Sequence, residues 1–276
     1  MKTIMVTGGA GFIGANFVRY LISKEPEVRI VNLDALTYSG NVANLAGIME
    51  DERHEFVLGS ITNAELVAYL LGTYEVEGII NFAAESHVDR SIEDPGIFVE
   101  TNVRGTQVLL REAMNAGVER FLQISTDEVY GALGETGLFT EETPIHPNSP
   151  YSASKAGADH LVLAASHTYG LDAVITRCSN NYGPYQFPEK MIPLMINNAR
   201  EDKPLPVYGD GQYVRDWIHV EDHCEAVWEV FCKGKAGNVY NVGGNSERTN
   251  LGVIKIILQA LDKPESLIRF VKDRPG

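Results

Sequence analysis

The sequence is short of cysteine, of basic charge and of long apolar runs. Its 276 residues hold three cysteines, Cys178, Cys224 and Cys232, with no C-x-x-C pair. That excludes a disulfide framework and a thiol zinc site, and it points to a reducing, cytoplasmic setting. The cysteines read instead as small buried hydrophobes. Lys and Arg number 23 against 37 Asp and Glu, a formal net charge of −14. So acidic a surface argues against nucleic acid or an anionic membrane as main partner, but leaves room for a local basic pocket. No apolar run approaches the roughly 18 residues of a membrane helix. Met1-Lys2-Thr3-Ile4 enters a strand pattern at once, so no targeting segment is expected. His219 and His223 lie four apart, but Val220 stands where a zincin helix needs Glu, so no metal is expected.

What is present is an ordinary globular balance, 44% apolar and 22% charged. The length suits one large or two small domains whose core needs no covalent staple. Thr3–Thr7, Arg29–Leu33, Glu55–Leu58, Gly78–Phe82, Arg120–Ser125 and Ala173–Arg177 are short, continuous apolar runs. Such runs are expected of strands covered on both faces. Helical spacing lies between them. Ile13, Phe17, Val18 and Leu21 mark one helix, and Thr62 with Glu65 reads as a capping box ahead of Leu66, Val67 and Leu70. The alternation predicts a doubly wound parallel α/β sheet with right-handed crossovers. After residue 178 prolines and glycines thicken and elements shorten. The expected division is 1–178 for the sheet and 179–276 for a smaller α/β lobe.

Gly8, Gly9, Gly11 and Gly14 lie between the first strand and the first helix. Glycines there let the backbone approach a pyrophosphate, and the helix N-terminus offers free N–H groups. The spacing is G-x-x-G-x-x-G. Gly131, Gly134 and Gly137 repeat that spacing without an unbroken strand before or a periodic helix after, so they read as an ordinary loop. Asp34 ends the second strand, where a carboxylate accepts ribose hydroxyls and repels a 2′-phosphate, favouring NAD over NADP.

Tyr151 and Lys155 stand four apart at the start of a helix after Pro150, so they share a face. An ammonium beside the phenol favours phenolate and makes Tyr151 a base. Tyr20 and Lys24 share the spacing but lie far from the glycine turn. The fifth strand ends in Ser125-Thr126-Asp127-Glu128, a hydroxyl and two carboxyls at a carboxyl end, where such sheets bind ligands. Adjacent carboxylates repel, so one can stay protonated as an acid while the other acts as base.

Together these residues resemble the extended short-chain dehydrogenase/reductase superfamily. Thr126-Asp127-Glu128 is similar to the run in dTDP-glucose 4,6-dehydratases. Further matches are Asn81 to Asp89, Thr101-Asn102-Val103, Arg177 to Pro184, Pro188-Glu189-Lys190, Arg215-Asp216-Trp217, Asn250 and Asp273 to Gly276.

The resemblance implies a Rossmann sheet and NAD held by Gly8, Gly11, Phe12, Ile13, Gly14, Asp34, Thr37, Ser60, Ile61, Ala83, Ala84, Thr101, Ser125, Tyr151, Lys155 and Asn181. It implies dTDP-glucose held by Ser86, Asn180, Glu189, Lys190, Pro206, Tyr208, Arg215, Asn250 and Arg274. Ser60 departs from the pattern, since relatives carry aspartate there. The catalytic set implied is Thr126, Asp127, Glu128, Tyr151 and Lys155. Tyr151 takes the 4-hydroxyl proton with Thr126 and Lys155 assisting, Glu128 takes the C5 proton, and Asp127 protonates the 6-hydroxyl. The product is dTDP-4-keto-6-deoxyglucose, a precursor of rhamnose and other deoxysugars. A homodimer through the Tyr151 helix and the helix near Thr101–Ala116 is expected, as is a lobe incomplete at its C-terminus. A nucleotide-sugar 4-epimerase or decarboxylase on the same fold is the alternative.

Overall fold

The structure is a computed structural model and describes residues 2–134 and 136–273. The chain opens with β1 (Lys2–Thr7), α1 (Phe12–Lys24), β2 (Val28–Asp34), β3 (His54–Leu58), α2 (Ala64–Thr73) and β4 (Gly78–Asn81). Helices α3 (Val88–Glu93) and α4 (Pro95–Phe98) follow, then a π-helical stretch (Val99–Gly105) that runs into α5 (Thr106–Ala116). Next come β5 (Arg120–Thr126), a 3₁₀ turn (Asp127–Tyr130), α6 (Pro150–Tyr169) and β6 (Ala173–Cys178). The remainder is β7 (Asn180–Tyr182), α7 (Met191–Arg200), β8 (Leu205–Tyr208), β9 (Val214–His219), α8 (Val220–Lys233), β10 (Val239–Val242), β11 (Glu247–Thr249), α9 (Asn250–Ala260) and β12 (Ile268–Val271).

These elements pack as two units. The first joins Met1–Cys178 with Glu221–Val242, and the second joins Ser179–Val220 with Gly243–Gly276. Residues 221–242, grouped with the smaller lobe on sequence, thus pack with the sheet.

All six expected strands are present, and a seventh joins them. The sheet order is β10-β6-β5-β4-β1-β2-β3, with every pairing parallel. Strand β10 is the addition: Val239–Val242 aligns with Ile175–Cys178. Helices cover both faces. On one, Val67, Leu70, Leu109, Leu110 and Val162 of α2, α5 and α6 pack on Met5, Val31, Ile79 and Phe121. On the other, Phe17 of α1 lies tilted against Phe82, and Phe231 of α8 and Ile4 both lie against Gly78. At about 25 cal/mol per Å², burying so many whole aliphatic side chains is the main stabilising term. Strand β3 departs from the expectation of two covered faces. It is the sheet edge, and its Leu58 is 64% exposed.

Helix α2 begins one residue later than expected. Asn63, not Thr62, caps it and accepts from Leu66 N, while Thr62 bonds Ser60. Helix α6 has a full capping box. Ser149 accepts from Ser152 N at 3.1 Å and Ser152 Oγ accepts from Ser149 N at 3.0 Å, with Pro150 in the first turn. This rigid start is what presents Tyr151. Cys178 and Cys224 are buried as expected, but Cys232 is exposed because it falls on the outer face of α8.

In the second unit, β9 pairs with β7 in parallel and β11 in antiparallel, and β8 pairs with β12. Its core gathers Met195, Leu205, Val207, Trp217, Ile254 and Leu258. Among the described residues, no helix is long and apolar enough to cross a membrane.

Candidate active site

Strand order reverses between β1 and β4, and a doubly wound sheet binds ligands beyond the carboxyl ends there. The loops leaving those two strands touch. Gly8 has φ +69, and a Cβ on it would lie 2.7 Å from Ala83 N. A Cβ on Gly14 would lie 2.2 Å from the Gly8 carbonyl. The turn is therefore closed around its glycines. Gly11 caps α1 without a side chain, so the N–H groups of Phe12, Ile13 and Gly14 have no partner within the helix. That is an anion cradle.

Asp34 sits at its rim, buried, and does two jobs. One carboxylate oxygen accepts from Ala10 N at 2.8 Å and the other from Leu36 N at 2.7 Å. It ties the cradle to β2, and each oxygen keeps a lone pair for a ribose hydroxyl. Thr37 is exposed just beyond. Ser60 Oγ lies 2.8 Å from Thr62 Oγ1 and accepts from Thr62 N, so its hydroxyl is engaged locally. Ile61 is buried at 3% exposure. Ala83 N donates to Thr7 Oγ1 at 3.3 Å, and Ala84 and Ser86 follow, half-buried, in the same loop. The cradle, the carboxylate and the helix N-terminus fit a dinucleotide.

Beside β4 the carboxyl end of β5 carries the reactive cluster. Thr126 caps the 3₁₀ turn, accepting from Glu128 N at 3.3 Å, and bonds Asp127 at 3.4 Å. Tyr151 lies against Phe98 edge to face, with ring centroids 6.4 Å apart. Its phenol is pushed well above its ordinary pKa, first by burial, then by the charges of Glu128, Cys178 and Asp127. A hydrogen bond from Thr126 pulls the other way. The expected phenolate is not what this arrangement favours. Lys155 Nζ donates to the Ile124 carbonyl at 2.6 Å.

Behind this cluster are residues to which motif reading assigned no role, Asn102 within a matched run and Asp159 outside any. Asn102, in the π-helical stretch, is 1% exposed. It accepts from Glu85 N at 2.8 Å and donates to Glu85 O at 3.0 Å and Ser154 Oγ at 2.8 Å. Ser154 in turn donates to the Tyr151 carbonyl at 2.7 Å. Thr101, expected at the cofactor, is Asn102's half-buried neighbour. Asp159 is fully buried on α6 and accepts from Arg177 Nε at 2.9 Å. Its spacing, four residues after Lys155, was the available signal. Ser125 is close enough to Asp159 to help hold the carboxyl down.

In the second unit, Asn180 and Asn181 lie on β7, Glu189 and Lys190 precede α7, and Pro206 and the exposed Tyr208 lie on β8. Arg215 on β9 is in register with Arg248 on β11. Like charges directly opposed disfavour the pair alone and favour an anion beside it. Asn250 opens α9, and its Oδ1 is buried with no hydrogen-bond partner among the described residues. Arg274 lies outside the described residues. Among these, no three His, Cys, Asp or Glu side chains group as a metal site.

The chain matches the family described as GDP-mannose 4,6 dehydratase over residues 5–274. A dTDP-glucose 4,6-dehydratase of Xanthomonas campestris is 56% identical over 294 residues, spanning 100% of this chain and 83% of that one. The chain belongs to the dTDP-glucose 4,6-dehydratase family. Two solved structures of that family agree. One, from Streptomyces venezuelae with NAD bound, has a TM-score of 0.95 at 51% identity, covering 99% of this chain and 85% of that one. Another, from Bacillus anthracis in complex with NAD, has a TM-score of 0.94 at 52% identity with the same coverage.

Proposed function

We propose that this chain dehydrates dTDP-glucose to dTDP-4-keto-6-deoxyglucose and water, acting as a hydro-lyase with NAD as its retained cofactor. The observation that carries the reading is the placement of two carboxylates, Asp127 and Glu128, within electrostatic reach of the Tyr151 phenol. A 4-epimerase needs the tyrosine but not the acid pair.

When bound, NAD supplies a fixed positive charge and an acceptor that takes hydride from C4 and returns it to C6. The cradle of Phe12, Ile13 and Gly14 N–H groups would hold its pyrophosphate, and Asp34 its ribose. Tyr151 Oη takes the proton of the 4-hydroxyl, with the Thr126 hydroxyl holding the same oxygen. Lys155 brings the ammonium charge that favours loss of that proton. Once C4 is a carbonyl, the C5 proton is acidic, and Glu128 removes it. Asp127 delivers a proton to the 6-hydroxyl, which leaves as water, and C5 regains a proton, the one Glu128 holds, as C6 is reduced. Within the second unit, Arg215, Lys190 and Asn250 are groups suited to a diphosphate, since guanidinium suits bidentate phosphate contact.

Incubation with NAD and dTDP-, UDP- or CDP-glucose tests this. dTDP-glucose should give the alkaline-absorbing 4-keto-6-deoxy product, and fastest of the three. Recovery of dTDP-glucose unchanged, or as its 4-epimer, refutes the reading. The product suits deoxysugar synthesis, rhamnose included. We place the chain in the cytoplasm, in keeping with its three free cysteines. We also read it as a homodimer through α5 and α6, where Leu161 and Leu163 are only partly buried. Gel filtration at the monomer mass would overturn the dimer.

A further inference from the structure

Lys155 is buried at 4% exposure, and an ammonium in such a place needs an anion near it. The hydrogen bond that holds its Nζ goes to a neutral carbonyl, that of Ile124. Burial pulls its pKa down, while the charges of Asp159 and Cys178 pull it back up. Cys178 Sγ donates to the Ser125 carbonyl at 3.4 Å, as a thiol does. Asp159, one turn further along α6 and on the same face, is therefore the anion available to Lys155.

Asp159 is itself held. Arg177 of β6 donates from Nε to Asp159 Oδ2, and its other arm donates to Tyr130 Oη at 3.0 Å, with the guanidinium over the Tyr130 ring. Tyr130 Oη donates to Asn241 Oδ1 at 2.7 Å. The second carboxylate oxygen, Oδ1, is buried and has no hydrogen-bond partner among the described residues. Burial raises the Asp159 carboxyl, and the two cations, Arg177 and Lys155, oppose that. Beyond that pair, Asp159 sits one turn from Lys155 on the same face of α6, with Ser125 beside it. A purely structural pair with Arg177 would engage both oxygens in the bidentate form that guanidinium favours.

We propose that Asp159 is a positioning residue for the first proton transfer, holding Lys155 in its ammonium form against the Ile124 carbonyl, with Arg177, Tyr130 and Asn241 fixing Asp159 in turn. The proposal rests on the reading of Lys155 as partner of Tyr151. From α6 Lys155 faces Asp159, from β6 Cys178 and from β5 the Ile124 carbonyl. Asp159 faces Arg177 from β6 and Ser125 from β5.

The test is the pH profile of kcat for dTDP-glucose dehydration by the NAD-loaded enzyme. Asp159→Asn removes the anion and nearly keeps the shape. Loss of an opposite charge at this range moves a pKa by about one unit or more, so the alkaline limb should move to lower pH by that amount. Asp159→Glu should return it toward wild type, and KM should stay put in both. If Asp159→Asn does not fold because Arg177 is left uncompensated, Asp159→Asn with Arg177→Met removes both charges and should show the same shift. Coincident profiles for wild type and Asp159→Asn, or the double variant where Asp159→Asn does not fold, would overturn the proposal. Lys155→Met separates the two readings. If it is as active as wild type, the role of Lys155 fails. If it is inactive while the Asp159 variants keep the wild-type profile, the role of Asp159 alone fails.

Discussion

Asn102→Ala is the most informative single change in the scaffold. The side chain joins the loop after β4, the π-helical stretch and α6 through three hydrogen bonds, two to Glu85 and one to Ser154. Each buried bond contributes about 1 kcal/mol net, and the loss is larger where a partner is left unsatisfied. Three such bonds give about 3 kcal/mol of lost stability. A change of that size lowers Tm by about 6 °C or more in a chain of this length. Glu100→Ala is the matched control. It lies in the same stretch and breaks only the exposed pair with Arg104 at 2.6 Å, worth about 0–1 kcal/mol. Urea titration followed by tryptophan fluorescence reads the unfolding, through Trp228 on α8 and Trp217 on β9. Asn102→Ala within about 0.5 kcal/mol of Glu100→Ala would refute the account of Asn102 as the tie between these elements.

Three further outcomes are expected. Gly14→Ala places a methyl 2.2 Å from the Gly8 carbonyl, so NAD affinity should fall at least about tenfold, read by fluorescence titration, and unchanged affinity would contradict the cradle. Asp127→Asn should build up reduced-nicotinamide absorbance because elimination slows while oxidation continues, whereas Tyr151→Phe should show no such absorbance at all. His223 is fully buried, and burial lowers its pKa from 6.5 to about 4. The unfolded chain then binds a proton that the folded chain refuses, so stability is lost as pH falls from 6.5 toward 4, by about 3 kcal/mol. His223→Gln should flatten the pH dependence of urea midpoints across that window, and an equally steep slope in the variant would remove His223 as its source.

The six strands read from sequence were legible because strands buried on both faces are continuous apolar runs. Strand β10 was not, since Val239–Val242 is four residues long and reaches β6 only after α7, α8 and three short strands have intervened. Strand β3 misled in the other direction, because an apolar run does not say whether it lies at the edge. The π-helical stretch has no signature in apolar spacing, as it differs from an α-helix in which carbonyl each N–H meets. Thr62 and Asn63 are both capping residues side by side, and only the backbone angles choose between them. At the site, spacing brought Tyr151 and Lys155 to one helix face. It could not say that Lys155 turns to the Ile124 carbonyl, because that depends on where β5 ends relative to α6.

The return of residues 221–242 to the first unit has a consequence for synthesis. When Cys178 leaves the ribosome, β6 is the border of the sheet, and the backbone donors and acceptors on its side away from β5 are unpaired. The strand that covers them ends 64 residues later, at Val242. At about 5–20 residues per second, β6 stays bare for roughly 3–13 s. During that interval a second nascent chain presents the same bare border, so faster elongation over this stretch should favour the native pairing over pairing between chains.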